Sequence, residues 1–205
     1  MAFAPSPETR PAAAPRPPLP LPLPLPVKIV IAGGPGAGKS TAVASISDST
    51  PLTTEAVMTT LAAGVDGAGR PPGPGAATVA MDFGSVTLDG TLKLYLFGTP
   101  GQDRSGFLWD DLVLGALGAL VVVDRDRLID GYPAVDHLER AGLPYVVGVN
   151  RFGGRQPHAP EEIRRALAVA DGVPVLSFDA RDRLSVRDAL LAVLNRALDR
   201  AGQPR

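Results

Sequence analysis

The octapeptide GGPGAGKS at residues 33–40 decides the fold of this chain. It matches the pattern G-x-x-x-x-G-K-[ST], follows a short β-rich apolar run at residues 27–32, and precedes a helix predicted over residues 39–47. Glycines allow successive backbone N–H groups to curl around an anion, and the helix N-terminus adds unpaired donors and a positive dipole end. The stretch therefore predicts a phosphate-binding loop, with an ordinary glycine-rich turn as the alternative.

Two side chains at the end of the octapeptide carry its chemistry. Lys39 is expected to bridge the β- and γ-phosphates of a nucleotide, and the Ser40 hydroxyl is expected to coordinate Mg²⁺. The chain has 20 basic residues, of which only Lys28, Lys39 and Lys93 are lysines, so a lysine at the required position is informative. The candidate phosphate-binding residues are Gly33, Gly34, Pro35, Gly36, Ala37, Gly38, Lys39, Ser40 and Thr41.

Strand-like and helix-like segments alternate beyond the loop. Strands are predicted at residues 78–88, 91–97, 119–123, 145–149 and 173–178, and helices at residues 107–114, 130–141, 160–170 and 182–200. Asp89-Gly90 predicts a tight hairpin between the first two of these strands, because both turn positions need positive φ. The intervening residues 48–77 are predicted to form a long irregular loop with a short helix near residues 54–61.

This alternation predicts the fold class. We expect an α/β protein, a P-loop NTPase with a six-stranded, mostly parallel sheet, one antiparallel strand and helices on both faces. Residues 1–25 are dominated by proline and alanine, and we predict a disordered arm that is either a solvated tail or a ligand or tether for a partner. Residues 26–202 form the predicted folded domain.

Composition excludes several classes of function. The net charge of −1 gives no general attraction to nucleic acid, so we predict no nucleic-acid partner. The absence of cysteine excludes disulfides and thiolate metal sites, and two histidines make a histidine-built metal site an unfavourable hypothesis. The sequence contains neither a recognisable signal peptide nor an apolar run of membrane-spanning length, so the expected location is the cytoplasm.

The segment GTPGQ at residues 98–102 resembles the D-x-x-G-Q segment of Ras-like proteins. In this interpretation the Gly101 N–H donates to a γ-phosphate and Gln102 orients the attacking water, whereas the alternative is a turn with a surface glutamine. Gly98 stands where an acidic residue is expected to hold a Mg²⁺-bound water. Asp82 on the neighbouring strand could supply that carboxylate indirectly, or it could be a solvated aspartate near a strand end. Thr78 fits a switch threonine that senses Mg²⁺ and the γ-phosphate, or it is a threonine that simply favours a strand.

Two further segments are candidates for contact with the base. Asn150 follows the strand at residues 145–149, where N-K-x-D reads guanine, and Arg151 can stack its aliphatic stem over the base as lysine does. Gly153 replaces the aspartate that accepts from guanine, which should weaken guanine preference. The Ala180 N–H is placed to reach the guanine oxygen, or it belongs to an ordinary turn that Asp182 caps.

The stretches VAMDFG, LYLFGTPGQ, WDDLVLGALGALVVVD and PVLSFDARD together resemble bacterial Ras-like small GTPases of the actinobacterial conservon type, relatives of the gliding-motility polarity GTPases. The resemblance implies that residues 26–202 are a Ras-like GTPase domain that binds GTP and GDP with Mg²⁺ and hydrolyses GTP. It assigns catalytic roles to Gln102, Lys39 and Thr78, and Mg²⁺ ligation to Ser40 and Thr78. It also implies a roadblock-type regulatory protein and a sensor-kinase-like membrane protein as partners, and hence peripheral membrane contact through them.

Three hypotheses follow from these residues. The leading one is a GTP-driven molecular switch with slow intrinsic hydrolysis, since Ala77 stands where the motility relatives carry an arginine. The second is a nucleotide-binding interaction protein with little or no turnover, which Gly98, Ala77 and Gly153 favour. The third is an ATP-dependent P-loop enzyme such as a small-molecule kinase, against which the Pro-Gly-Gln segment argues.

Overall fold

The computed structural model describes residues 23–58, 77–100, 106–152 and 159–202, which form one mixed sheet flanked by helices. The strands are β1 Leu25–Gly33, β2 Leu52–Met58, β3 Ala77–Leu88, β4 Leu92–Gly98, β5 Gly118–Asp124, β6 Tyr145–Asn150 and β7 Val175–Phe178. The helices are α1 Lys39–Ile46, α2 Gly106–Val113, α3 Tyr132–Arg140, α4 Pro160–Ala166 and α5 Arg183–Ala201. A 3₁₀ segment, Arg125–Gly131, connects β5 to α3.

The sheet confirms the predicted fold class. Its strand order is β2-β3-β4-β1-β5-β6-β7. Strand β1 pairs in parallel with β4 and β5, and β6 pairs in parallel with β5 and β7, whereas β3 runs antiparallel to β4. The six predicted strands correspond to β1 and β3 to β7, so that five are parallel and one is antiparallel.

The edge strand β2 is a correction to the sequence-based prediction. Residues 52–58 pair antiparallel with β3, from Leu52 opposite Phe83 to Met58 opposite Ala77. The predicted helix near residues 54–61 is therefore wrong for residues 54–58, and residues 59–61 lie outside the described part of the chain. The physical reason is that β3 offers an open ladder edge, and the threonines and valine of the segment favour an extended chain.

Alternation along the strands builds a core on each face of the sheet. On β1, Ile29 and Ile31 pack with helices α1 and α5, while Val30 and Ala32 pack on the opposite face. The side chains that α1 and α5 bury include Val43, Ile46, Leu190 and Val193. Those that α3 and α4 bury include Val135, Leu138 and Ile163. Helices on both faces were predicted, and this arrangement leaves the carboxyl ends of the parallel strands at one edge.

The β3–β4 hairpin also agrees with its prediction. Asp89 and Gly90 have φ of 50° and 68°, which a tight turn of the predicted type requires. The predicted proline-rich arm lies almost wholly outside the described residues, since the description begins at residue 23 and β1 at Leu25. Among the described residues, none of the helices has the length and apolar character needed to cross a membrane.

Candidate nucleotide-binding site

The phosphate loop lies between the end of β1 and the start of α1. Gly33, Gly36 and Gly38 have φ of 135°, 70° and 109°, a region that residues with a side chain rarely adopt. At Gly33 a Cβ atom would lie 2.0 Å from the carbonyl oxygen of Val122 on β5. Glycine is therefore required here both by backbone conformation and by the close approach of β5, and the loop takes the strand-loop-helix placement that its sequence predicts.

The ammonium group of Lys39 folds back over the loop. Its Nζ donates hydrogen bonds of 2.8 Å to the carbonyl oxygens of Gly33 and Gly34. The residue is only 7% exposed. Burial lowers the pKa of Lys39 from 10.5 to about 8, while the nearby carboxylate of Asp82 acts in the opposite direction. The site thus holds a partly desolvated cation that an additional anion would stabilise.

The carboxylate of Asp82 lies beside Ser40 and Gly98. The Ser40 hydroxyl donates a hydrogen bond to Asp82 Oδ2. A Cβ atom on Gly98 would lie 3.1 Å from Asp82 Cβ and 3.3 Å from Oδ2. A carboxylate carried by β3 therefore occupies the space next to Gly98, the position on β4 where an acidic residue was expected.

Ser40 and Asp82 fit the donor chemistry of a Mg²⁺ ion. This ion prefers oxygen ligands, and commonly combines one or two protein oxygens with substrate phosphates and water. Within the described ranges, no group of three or more histidine or acidic side chains is placed to hold a metal by itself. The hydroxyl and carboxylate pair therefore suits an ion shared with phosphates. Thr78, the other predicted ligand, lies on β3 opposite Val57, and only its backbone is described.

Asn150 connects the phosphate loop to the segment after β7. The side chain is 4% exposed. Its Nδ2 donates a 2.9 Å hydrogen bond to the carbonyl oxygen of Ala37, and its Oδ1 accepts a 3.1 Å hydrogen bond from the Ala180 N–H. The predicted base-contacting residues Asn150 and Ala180 are thus brought together. The Ala180 N–H already has a protein partner, so its contact with a base oxygen stays a prediction.

The turn around Ala180 carries a charged pair. Asp179 accepts hydrogen bonds of 2.9 and 3.1 Å from the backbone and side chain of Arg181. The Arg181 guanidinium is the main reason that the pKa of Asp179 is lowered, and the charge of Arg151 contributes to the same shift. Asp182 accepts from the Leu184 N–H and caps α5, as the alternative interpretation of this turn expects. Arg151, exposed just beyond β6, donates its backbone N–H to the Phe178 carbonyl oxygen at 2.8 Å.

Several predicted site residues cannot be placed. Gly101, Gln102 and Gly153 lie outside the described residues, so their roles stay predictions. Thr41 is exposed on the first turn of α1.

The structure adds one residue that the sequence motifs missed, Arg127. Its Nη2 donates a 3.0 Å hydrogen bond to the carbonyl oxygen of Pro35 in the phosphate loop. No motif could have identified it, because the contact joins segments 92 residues apart.

Comparisons with known proteins agree with this geometry. The model of a family described as conserved hypothetical ATP binding protein matches residues 31–200. An uncharacterized protein of Methanocaldococcus jannaschii is 36% identical over 76 residues, which cover 36% of this chain and 49% of that protein. The chain thus spans about half the length of this relative.

A solved structure supports the fold. The crystal structure of the G domain of the T. maritima FeoB iron transporter is similar with a TM-score of 0.59 and 17% identity, covering 84% of this chain and 99% of that chain. At this identity the similarity concerns the fold alone. The fold is that of a G domain, which is a P-loop NTPase. The phosphate loop of this chain lies between β1 and α1, the place expected for such a loop.

Proposed function

We propose that this chain, which belongs to the family described as conserved hypothetical ATP binding protein, binds GTP with Mg²⁺, hydrolyses it to GDP and phosphate, and acts as a molecular switch. The observation that carries the proposal is the buried Lys39 ammonium, which lies 2.8 Å from two successive carbonyl oxygens of a glycine-rich loop. A cation in this position, at the N-terminus of α1, is suited to the phosphates of a nucleotide.

The chemistry is the attack of a water molecule on the γ-phosphorus. A bond forms between the water oxygen and phosphorus, and the bond to the β–γ bridging oxygen breaks, which yields GDP, phosphate and one proton. Lys39 neutralises the phosphate oxygens, and Gln102 orients the water. Ser40 and Asp82 would hold a Mg²⁺ ion, which would supply further neutralisation of the phosphates.

Guanine is the proposed base because of the Asn150 connection. This side chain sits at the carboxyl end of β6, where it ties the phosphate loop to Ala180 and fixes the two backbone segments that flank a base site. Arg151 follows directly and supplies a stem for stacking. ATP is the second candidate, since the family description names ATP binding and Gly153 lacks the carboxylate that would select guanine.

The switch role rests on Thr78 and Gln102. In the proposed cycle the γ-phosphate orders the segments that carry these residues, and its release changes affinity for partners. The partners proposed from the sequence resemblance are a roadblock-type regulatory protein and a sensor-kinase-like membrane protein, which would place the protein peripherally at a membrane. A nucleotide-binding interaction protein without turnover is the rival hypothesis, favoured by Ala77 and Gly98.

Single-turnover hydrolysis tests the proposal directly. Purified protein is loaded with radiolabelled GTP or ATP and Mg²⁺, and phosphate release is followed with and without a roadblock-type partner. We expect release from GTP that Gln102→Leu slows while binding is retained. Release from ATP alone would transfer the function to the second candidate, and tight binding with no release under either condition would support the interaction protein.

A further inference from the structure

Arg127 lies against the phosphate loop and is held there by neighbouring carboxylates. It belongs to the 3₁₀ segment between β5 and α3, where its φ of −139° and ψ of 51° interrupt the helical turn. Its Nε donates a 3.3 Å hydrogen bond to Asp124 Oδ2, and its Nη1 lies 3.8 Å from Asp130 Oδ2. These contacts orient the guanidinium so that Nη2 reaches the Pro35 carbonyl oxygen at 3.0 Å.

The loop is shaped to receive this segment. A Cβ atom on Gly36 would lie 2.9 Å from Arg127 Nη2, and one on Gly34 would lie 2.4 Å from Asp130 Cβ. A side chain at residue 34 would displace the segment at Asp130, whereas one at residue 36 would displace the guanidinium of Arg127. The close approach of the guanidinium to the loop backbone therefore depends on glycine at both positions. The φ of 70° at Gly36 is a second reason for glycine there.

Two cations thus hold three successive carbonyl oxygens of the loop. Lys39 donates to those of Gly33 and Gly34, and Arg127 donates to that of Pro35. A guanidinium has five N–H groups, and the bonds to Asp124 and Pro35 use two of them. The Arg127 side chain is 51% exposed. Further N–H groups of the guanidinium are therefore accessible from solvent and free to meet an anion at the loop.

We propose that Arg127 is a catalytic residue of this site, an arginine supplied by the β5–α3 segment that donates hydrogen bonds to the phosphate chain as negative charge moves onto the leaving diphosphate. The inference rests on the proposed hydrolysis. A preorganised guanidinium suits this role because its donors are oriented before the charge develops. The residue before Thr78 is Ala77, so that position supplies no arginine to the site.

The rival explanation is that Arg127 only clamps the loop. A clamp would act on nucleotide binding and on stability, whereas a transition-state contact would act on the rate of hydrolysis alone. The test therefore compares wild-type protein, Arg127→Ala, Arg127→Lys and a matched control, Arg187→Ala. Arg187 is a suitable control because it lies on α5, is 45% exposed and pairs with the adjacent Asp188.

Three readouts are measured on the full chain. These are the affinity for GTP and GDP, the single-turnover rate of GTP hydrolysis, and the binding of aluminium fluoride to the GDP complex. We expect Arg127→Ala to lower the rate by about 1,000-fold or more while affinity changes by less than roughly threefold, because an arginine at a transferring phosphate contributes about 10³ to 10⁵ in kcat. Arg127→Ala should also lose aluminium fluoride binding, added guanidinium should restore part of the rate, and Arg187→Ala should match wild type.

Each other outcome has a defined meaning. An active wild-type protein whose rate is unchanged by Arg127→Ala would overturn this inference and leave the proposed function standing. Parallel losses of affinity and rate would assign Arg127 to the clamp and likewise overturn it. A wild-type protein that binds nucleotide but neither hydrolyses it nor binds aluminium fluoride would remove the proposed hydrolysis, and the role of Arg127 with it.

Discussion

The side-chain amide of Asn150 donates a 2.9 Å hydrogen bond to the carbonyl oxygen of Ala37, across 113 residues of sequence. The same side chain accepts from the Ala180 N–H, so one buried asparagine joins the phosphate loop, β6 and the turn before α5. All three segments meet at the carboxyl ends of parallel strands, the edge at which ligands bind in open α/β sheets. The bridge therefore joins the phosphate loop to the turn that the sequence predicts to contact a base.

Asn150→Ala should therefore weaken both stability and nucleotide binding. The substitution leaves the Ala37 carbonyl and the Ala180 N–H without their partner, and a buried unpaired polar group costs about 1–3 kcal/mol. We expect the free energy of unfolding in urea to fall by about 2 kcal/mol, with a matching loss of affinity. Asn195→Ala is the control, since Asn195 is exposed on α5. Equal urea midpoints for both variants would contradict the bridging role.

Asp82→Ala should reduce the dependence of nucleotide affinity on Mg²⁺. The carboxylate accepts from Ser40 and lies beside Gly98, so its removal takes away the acidic group next to the hydroxyl that we propose as a Mg²⁺ ligand. Titration of nucleotide affinity against Mg²⁺ concentration measures the effect. Asp89→Asn serves as the control, because Asp89 is exposed in the hairpin turn. Identical Mg²⁺ titrations for wild type and Asp82→Ala would exclude Asp82 from the metal site.

In the Asp82→Ala variant, a carboxylate placed at residue 98 on β4 should restore the dependence of nucleotide affinity on Mg²⁺. Gly98→Asp alone should destabilise the protein, because its Cβ atom would lie 3.1 Å from Asp82 Cβ and two carboxylates would share one space. The double variant Gly98→Asp with Asp82→Ala removes the second carboxylate and leaves only the 3.1 Å approach of the two Cβ atoms, which a shift of a few tenths of an ångström relieves. Recovery of the Mg²⁺ dependence in the double variant, but not in Asp82→Ala, would show that the position of the carboxylate matters more than the strand that carries it.

Nucleotide affinity should fall as the pH rises above about 8. The pKa of Lys39 is lowered from 10.5 to about 8 by burial, so the free site loses its ammonium charge in this range. A bound polyphosphate favours the charged form and raises the pKa, so that binding above pH 8 takes up a proton. Affinity should drop by up to about tenfold per pH unit there, and calorimetry in buffers of different ionisation enthalpy should detect the proton.

The same shift has the opposite sign for the stability of the free protein. The folded state releases the Lys39 proton at a lower pH than the unfolded chain does, so this group makes the folded state more stable as pH rises from about 8 to 10.5. Deprotonation of Lys39 therefore does not destabilise the folded protein between pH 8 and 10.5, and a loss of affinity in this range does not arise from unfolding caused by this group. An affinity that stays constant from pH 7 to pH 10 would contradict the proposed contact between Lys39 and phosphate.

Gly153→Asp should shift selectivity toward GTP. A carboxylate at this position would accept from the guanine amide and amine, and a hydrogen bond to a charged group contributes about 1.5–3 kcal/mol, or at least about tenfold in the ratio of GTP to ATP affinity. Competition of both nucleotides for the same labelled ligand gives the ratio, with Gly153→Ala as the control. If the ratio is the same in both variants, the base lies elsewhere.

The succession of most strands and helices along the chain, and the phosphate loop, could be predicted from the sequence because local signals agree there. The octapeptide at residues 33–40 and the Asp89-Gly90 turn each demand one backbone conformation, and the apolar runs of β1, β5 and β6 are buried on both faces. Strand β2 was missed for the converse reason. Its residues favour a strand only weakly, and the open edge of β3 with which they pair is a tertiary feature.

The residues of the candidate site also fall into two groups, those that sequence motifs identify and those that only the packing of distant segments reveals. Motifs identified Lys39, Ser40 and Asn150 because each is required at a given spacing from a strand. The proximity of Asp82 to Gly98 depends on strand pairing, and could be suggested only as one of two alternatives. Arg127 carries no local signal, since its contact with Pro35 arises from the packing of the 3₁₀ segment on two glycines of the loop.

The most direct test of whether the loop at residues 33–40 binds a nucleotide is calorimetry. GTP and ATP are titrated, in the presence of Mg²⁺, into the wild-type protein, Lys39→Ala and Lys93→Ala. Lys93 is the control because it lies on β4 and contacts the Tyr95 ring rather than the loop. We expect wild type and Lys93→Ala to bind a nucleoside triphosphate with equal affinity, and Lys39→Ala to show no measurable binding. Equal affinity in all three proteins, or no binding of either nucleotide to the wild type, would contradict the phosphate site.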